Sequence, residues 1–308
     1  MRTLPEPFLQ DLLQAHGHLH PILRRVKKDQ TLMLAIRENA INIYYRGGNL
    51  VRIAGQTSSR YKADFDAKYN LSGQALPALP ANIQNQEEAV QWMEAFPILK
   101  QVMDEYFCIH SKPEREFQQL VARENNHSTI SNESEYFISD IEFADSDLHA
   151  RFDLQGIRWD ASRRSSGQCR PALFEMKYGD NALGGASGLL KHLQDIDALV
   201  QDKVRYGQLL ATMESQFCQL DQLGLLKFTR SQVGIQVSLA TEIKPEVIFV
   251  LANHNPRSTK LMTMLESVKL DEYARSAHFD LRFFVSSFAG YGLHTRNMLT
   301  LGEFRKLL

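Results

Sequence analysis

The chain is poor in cysteine. Its 308 residues include only Cys108, Cys169 and Cys218, with no CxxC spacing. An odd, unclustered set argues against a disulfide framework and against a four-cysteine zinc site. Long apolar runs are also missing. The longest is Val247 to Ala252, whereas a membrane-spanning helix needs ~20 residues. No continuous apolar segment follows Met1-Arg2-Thr3-Leu4-Pro5-Glu6-Pro7, so a secretory signal is not expected and a cytoplasmic location is. Charge of one sign is not in excess. Lys plus Arg total 35 and Asp plus Glu 36, for a net charge of −1. That excludes a small, strongly basic nucleic-acid coat protein but leaves room for a local basic groove. There is no GxxxxGK[ST] for a nucleotide P-loop. Gly185-Ala186-Ser187-Gly188-Leu189 lacks the final glycine of GxSxG, so a serine hydrolase is unsupported. No repeat of fixed period and no low-complexity tract is found.

What is present is an ordinary globular composition, 44% hydrophobic and 23% charged, long enough to bury a core without staples. Residues 6–30 read as a helix ending in the basic cluster Arg24, Arg25, Lys27 and Lys28. Residues 31–69 carry strand signals broken by the turn-like Glu38-Asn39 and Gly47-Gly48-Asn49, which suggests a small antiparallel sheet. A loop over 71–86 precedes a helix from Gln86 to Phe107. Pro113 opens another helix, with Phe117, Leu120 and Val121 on one face. Strands follow at Tyr136–Phe143, Ala150–Trp159 and Pro171–Tyr178. A glycine-rich loop, Gly179 to Gly188, leads into helix from Leu189 to Val200, and more helix runs to Leu226. Val233, Ile235, Val237 and Leu239 alternate as in a half-buried strand. Val247–Ala252 reads as a buried strand, Ser258–Ala277 as helix and Leu281–Ser286 as a last strand. The expected architecture is α/β or α+β, a mixed central sheet flanked by helices over 111–308, preceded by a β-rich region with flanking helices over 1–110.

The third of those C-terminal strands holds Leu173-Phe174-Glu175-Met176-Lys177. Side chains alternate along a strand, so Glu175 and Lys177 share one face. Asp153, in Arg151-Phe152-Asp153-Leu154, precedes Glu175 by 22 residues (175 − 153), about one hairpin. If the two strands pair, both carboxylates and the lysine meet. Such a set suits a hard divalent cation, Mg²⁺ or Mn²⁺, held with waters and substrate phosphate. The metal would polarise a scissile phosphate and lower the pKa of a bound water. Lys177 would orient that water or offset developing charge. Context distinguishes this triplet from Asp66-Ala67-Lys68 and Glu242-Ile243-Lys244. The first lacks a paired strand carrying an Asp, and the second runs into Pro245.

This order of elements and residues resembles the PD-(D/E)XK, or restriction endonuclease-like, nuclease superfamily. The resemblance covers roughly residues 111–200 closely and 230–290 loosely, and leaves the first 110 outside. It assigns the metal-binding roles to Asp153 and Glu175 and the catalytic lysine to Lys177. Phe152 stands where the superfamily's pattern has proline. The resemblance implies a Mg²⁺-dependent nuclease acting on nucleic acid, DNA more than RNA, in repair or in defence against foreign DNA. A homodimer is compatible with it, and inactive members of the same fold occur. Many members add a glutamate from the first helix. Glu114 is the leading candidate here, with Glu116 the alternate and Glu124 also in play. First-turn acids favoured by the helix dipole explain the same residues equally well. Basic or amide residues on the helix after the catalytic strand often touch phosphate in similar nucleases. Lys191, His192 and Gln194 are the candidates. Arg163 and Arg164, with Arg158 and Arg170 beside them, could clamp a nucleic-acid backbone. The rival reading is a catalytically inactive nuclease-fold module that binds nucleic acid or a protein partner. His16, His18 and His20 adjoin no carboxylate cluster and do not read as a zinc site. Tyr44-Tyr45-Arg46 could stack on bases.

Overall fold

The computed structural model describes residues 2–57, 59–127, 135–145, 150–179, 182–184, 188–229, 236–253, 258–285 and 298–307. The chain divides into two units, one of residues 1–119 and 219–225, the other of residues 120–218 and 226–308.

The N-terminal unit begins with two helices where the sequence predicts one. These are α1 (Glu6–Leu13) and α2 (His20–Lys28). The break is at Gly17. A Cβ there would collide with the Asp11 carbonyl, so the chain turns back tightly against α1. Pro21 then opens α2, where a missing N–H costs nothing.

Strands β1 (Leu32–Arg37), β2 (Ala40–Tyr45), β3 (Gly48–Thr57), β4 (Arg60–Asp64) and β5 (Asn82–Ile83) form an antiparallel sheet in that order. The β2–β3 turn is Arg46-Gly47, with φ of 49° and 73°. Two positive φ values match the twist of a two-residue hairpin. Gly47 is doubly required, because a Cβ would also collide with the Arg115 backbone.

Helix α3 (Gln86–Ile109) is capped by the Asn85 side chain and runs through Pro97. Helix α4 (Pro113–His127) starts at the predicted proline, but its buried face differs from the expected one. Phe117 and Leu120 are half-buried, while Gln118, Gln119, Val121, Ala122, Asn125 and Asn126 are buried. Backbone partners make this possible for the amides. Gln119 accepts from the Gly47 amide at 2.7 Å and donates to the Thr31 and Tyr44 carbonyls. Asn126 accepts from the Ile138 amide at 2.8 Å and donates to the Ile138 carbonyl at 2.7 Å.

The C-terminal unit is built on a six-stranded sheet of β6 (Tyr136–Asp145), β7 (Ala150–Arg158), β8 (Arg170–Tyr178), β9 (Glu246–Ala252), β10 (Asp280–Val285) and β11 (Met298–Leu299). Its order is β11-β10-β9-β8-β7-β6. β6, β7 and β8 are antiparallel, β8, β9 and β10 parallel, and β11 antiparallel to β10. The sheet is therefore mixed, as expected. Helices α5 (Leu189–Gln201) and α6 (Lys203–Gln222) lie between β8 and β9 in sequence.

The helix expected over 258–277 is two short ones, α7 (Thr259–Leu265) and α8 (Val268–Ala274), because the chain breaks at Glu266-Ser267. Helix α9 (Leu301–Arg305), closed by a Thr300–Glu303 capping box, adds an element that the apolar pattern does not predict. Val233 and Ile235 of the alternating segment lie outside the described residues. Among the described residues of that segment, a single bridge, Gln168 to Ser238, forms.

The lower ends of β8, β9 and β10 meet in a charge network. Glu246, almost fully buried, accepts from the Tyr136 hydroxyl at 2.7 Å, Arg158 at 3.0 Å and Arg170 at 3.3 Å. Arg170 also pairs with Asp280. The two units thus give a mixed α/β architecture with two sheets and nine helices among the described residues. None of those helices is long and apolar enough to cross a membrane.

Candidate functional site

Strand β8 pairs on both sides, and its residues from Pro171 to Lys177 are all buried. Charged side chains in such a strand need partners. Glu175 is 4% exposed and Lys177 5%. Lys177 Nζ donates to Glu175 Oε1 at 2.7 Å. His192, on α5, places Nε2 2.8 Å from the same oxygen. The apolar stripe of α5 turns this histidine toward the sheet. Leu189, Leu193, Ile196 and Val200 are all buried, as the periodicity predicts. Burial alone would raise the Glu175 carboxyl. The His192 hydrogen bond and the Lys177 charge outweigh it and hold the group below the ordinary carboxylate range.

Asp153 joins this group across the sheet. The β7–β8 ladder runs from Arg158↔Arg170 to Leu154↔Phe174. Continued one step, that register would set Asp153 level with Glu175, on the same face. Backbone pairing stops there, and a side chain takes over. Asp153 Oδ2 accepts the Met176 amide at 2.8 Å. The register of β6 on β7, Ile141↔Leu154 and Phe143↔Phe152, places Glu142 level with Asp153 on the other side. Glu142 has φ of 49°, a region non-glycine residues rarely occupy. No sequence pattern singles it out.

The other candidates scatter. Lys191 is exposed on α5 and paired with Asp195 one turn on. Gln194 is exposed on the same helix. Arg163 ends a 3-10 turn at Ala161–Arg163, and its side chain lies outside the described residues. Arg164 is not the surface residue expected of a backbone clamp. It is 4% exposed, with its guanidinium 5.2 Å from the Phe137 ring centroid and 5.7 Å from that of Phe228. Cation–π contact with a desolvated aromatic cluster explains its burial. Arg158 and Arg170 serve Glu246. Glu114 and Glu116 stand in the first turn of α4, in the N-terminal unit, where Glu116 pairs with Arg46 at 3.0 Å. Glu124 is half-buried beside Arg123.

The histidine cluster diverges. His18 bonds the Ser59 carbonyl and His20 the Leu12 carbonyl. Tyr44 is buried with Arg37 donating to its hydroxyl. Tyr45 donates to Asp104, to which Arg46 also pairs. Asp66 and Lys68 form an exposed pair on a 3-10 turn, and Glu242 follows in a turn.

Among the described residues, no group of three or more His, Cys, Asp or Glu side chains is arranged to hold a metal ion. The donors at hand are two carboxylates, Asp153 and Glu175. They fit a hard cation that keeps several waters and takes phosphate oxygens, and not a closed structural zinc site. No family model matches the chain, nor does any curated protein or solved structure.

Proposed function

We propose that the chain is a metal-dependent nuclease with a restriction endonuclease-like core, hydrolysing phosphodiester bonds of nucleic acid, DNA in preference to RNA. The observation that carries this reading is the buried Glu175–Lys177–His192 group, with Asp153 bonded to the Met176 amide between Glu175 and Lys177 where the β7–β8 ladder ends. Asp153 and Glu175 would hold Mg²⁺ or Mn²⁺. When bound, the cation would supply Lewis-acid activation of the phosphate and lower the pKa of a bound water.

The chain's own residues do the rest. The Met176 amide fixes Asp153, and Lys177 and His192 fix the orientation of Glu175. Lys177, bonded to Glu175, would offset charge that builds on the phosphoryl oxygens. Exposed Lys191, one residue from His192, is a candidate phosphate contact.

A second reading, an inactive nuclease-fold module that binds nucleic acid or a protein, has its own support. Glu175 Oε1 is already engaged by both Lys177 and His192.

A substrate panel separates the two: linear, supercoiled and single-stranded DNA, and RNA, each with Mg²⁺ or Mn²⁺. Controls are EDTA and Lys177→Ala. Cleavage lost in both controls supports the nuclease. Metal-independent binding without cleavage supports the module. Cleavage that survives Lys177→Ala places the site elsewhere.

A further inference from the structure

Gln155 stands on β7 two residues beyond Asp153, so both project from one face of the strand. Its side chain is fully buried, 0% exposed. Gln155 Nε2 donates to Gln216 Oε1 on α6 at 2.8 Å, and Gln216 Nε2 donates to Asp140 Oδ2 on β6 at 3.0 Å. Gln216 is 0% and Asp140 1% exposed.

The far end of this chain sets its direction. Asp140 Oδ1 accepts the Ile141 amide at 2.8 Å and Oδ2 accepts Gln216 Nε2, so both carboxylate oxygens act as acceptors. Gln216 must then offer Asp140 its nitrogen, and its oxygen faces Gln155. Gln155 must in turn offer its nitrogen to Gln216. What remains is Gln155 Oε1, a buried acceptor with no hydrogen-bond partner. Leaving such an oxygen unmet forfeits its solvation with nothing in return. Internal water is the usual partner for buried polar groups that the protein leaves unpaired.

We propose that Gln155 Oε1 holds a buried water molecule at the floor of the Asp153–Glu175 site, and that Gln155 is thereby a positioning residue for the Asp153 carboxylate. The positioning role rests on the nuclease reading above. The geometry selects the ligand: an acceptor at the end of a one-directional chain takes a donor and rejects an anion. Water meets that requirement and can pass a hydrogen bond onward. Outer partners of this kind typically affect metal affinity or activity by about 10- to 100-fold.

The test uses crystals of the full chain together with two variants. Density for an ordered water about 2.7–3.2 Å from Gln155 Oε1 is expected in the wild-type protein. Gln155→Met, which keeps the bulk and removes the oxygen, should lose that water. Its kcat for cleavage should fall about tenfold at unchanged substrate KM, with more Mg²⁺ needed for half-maximal rate. Gln155→Glu, as a protonated acid, keeps a donor toward Gln216 and an acceptor toward the water. It should restore both the density and the rate.

An empty position in the wild-type density overturns the proposal, even if Gln155→Met fails to fold. So does a Gln155→Met enzyme with wild-type kcat. A Mn²⁺ anomalous peak on Oε1 overturns the water and makes Gln155 a direct ligand. If the wild-type protein cleaves nothing, the nuclease reading fails and the positioning role fails with it. The density still decides the water.

Discussion

The Asp153 carboxylate accepts the backbone amide of Met176 at 2.8 Å, one strand away, where the β7–β8 ladder ends. A side chain thus does the work of a strand carbonyl, and the Asp153 carboxylate is held beside the Glu175–Lys177 pair. A charged acceptor on an amide is a stronger bond than a neutral one, so the contact both closes the end of the ladder and orients the acid.

This separates structure from chemistry at Asp153. In Asp153→Asn the amide oxygen still accepts from Met176. The expected loss of unfolding free energy is about 1 kcal/mol, the difference between a charged and a neutral acceptor. Cleavage should fall by ~100-fold or more if Asp153 holds the metal. Urea unfolding and a plasmid-nicking assay, run on one preparation, read the two effects. A large stability loss with activity retained would reverse the assignment.

Lys177→Met leaves Glu175 buried with His192 as its remaining basic partner. Breaking a buried ion pair from one side costs about 3–5 kcal/mol, and a loss at the lower end is expected because methionine fills the space of the lysine stem. Adding Glu175→Gln removes the stranded charge. The double variant should regain more than half of the lost stability and still not cleave. Urea denaturation of the wild type, both single variants and the double variant closes the cycle.

Asn126 acts as a piece of strand, holding both the amide and the carbonyl of Ile138. The register of β6 on β7 shifts between Ile138 and Asp140, so the irregular backbone there relies on a side chain. Asn126→Ala should cost about 3 kcal/mol by leaving two buried backbone groups unmet. Hydrogen exchange should show the Ile138 amide losing protection relative to its β6 neighbours. Unchanged exchange would mean that the strand has other partners at this point.

In the N-terminal unit, Asp29 follows the end of α2 and gathers Lys100 at 2.6 Å, Arg25 at 2.9 Å, and the hydroxyl and amide of Thr31. Burial pushes its carboxyl up, but the bonds to Lys100, Thr31 and Arg25 overcome that and hold it far below the ordinary range. A depressed folded pKa gives stability that is fully present above the unfolded value of ~3.9 and is lost as pH falls from there through the folded value. Thermal midpoints measured from neutral pH down into that acid window should therefore drop more steeply for the wild type than for Asp29→Asn. Parallel acid limbs would remove Asp29 from the acid sensitivity.

Local pattern carries much of this fold. The alternation of Phe174 and Met176 against Glu175 and Lys177 puts the two charges on one face whatever strand lies beside them, and the structure pairs them. The α5 stripe is buried as its spacing requires. Strands β6 to β9 lie within about two residues of their apolar runs, an ordinary margin for element ends. Side-chain period is a property of the backbone, so it is readable without tertiary information.

The differences between expectation and structure share another cause. Gly17 looks like one more flexible residue until the Asp11 backbone is seen against it. Gln119 and Asn126 look like parts of a solvent face until their amides meet backbone groups of neighbouring turns and strands. Arg164 looks like a surface cation until Phe137 and Phe228 close around it. The choice of Glu175 as the partner of His192, the end of the β7–β8 ladder at Asp153, and the Asp140–Gln216–Gln155 chain all join residues from different elements. Periodicity determined which face each residue could occupy. Only strand pairing and helix packing decided what it would meet there, because satisfying a buried polar group depends on neighbours that sequence spacing does not specify.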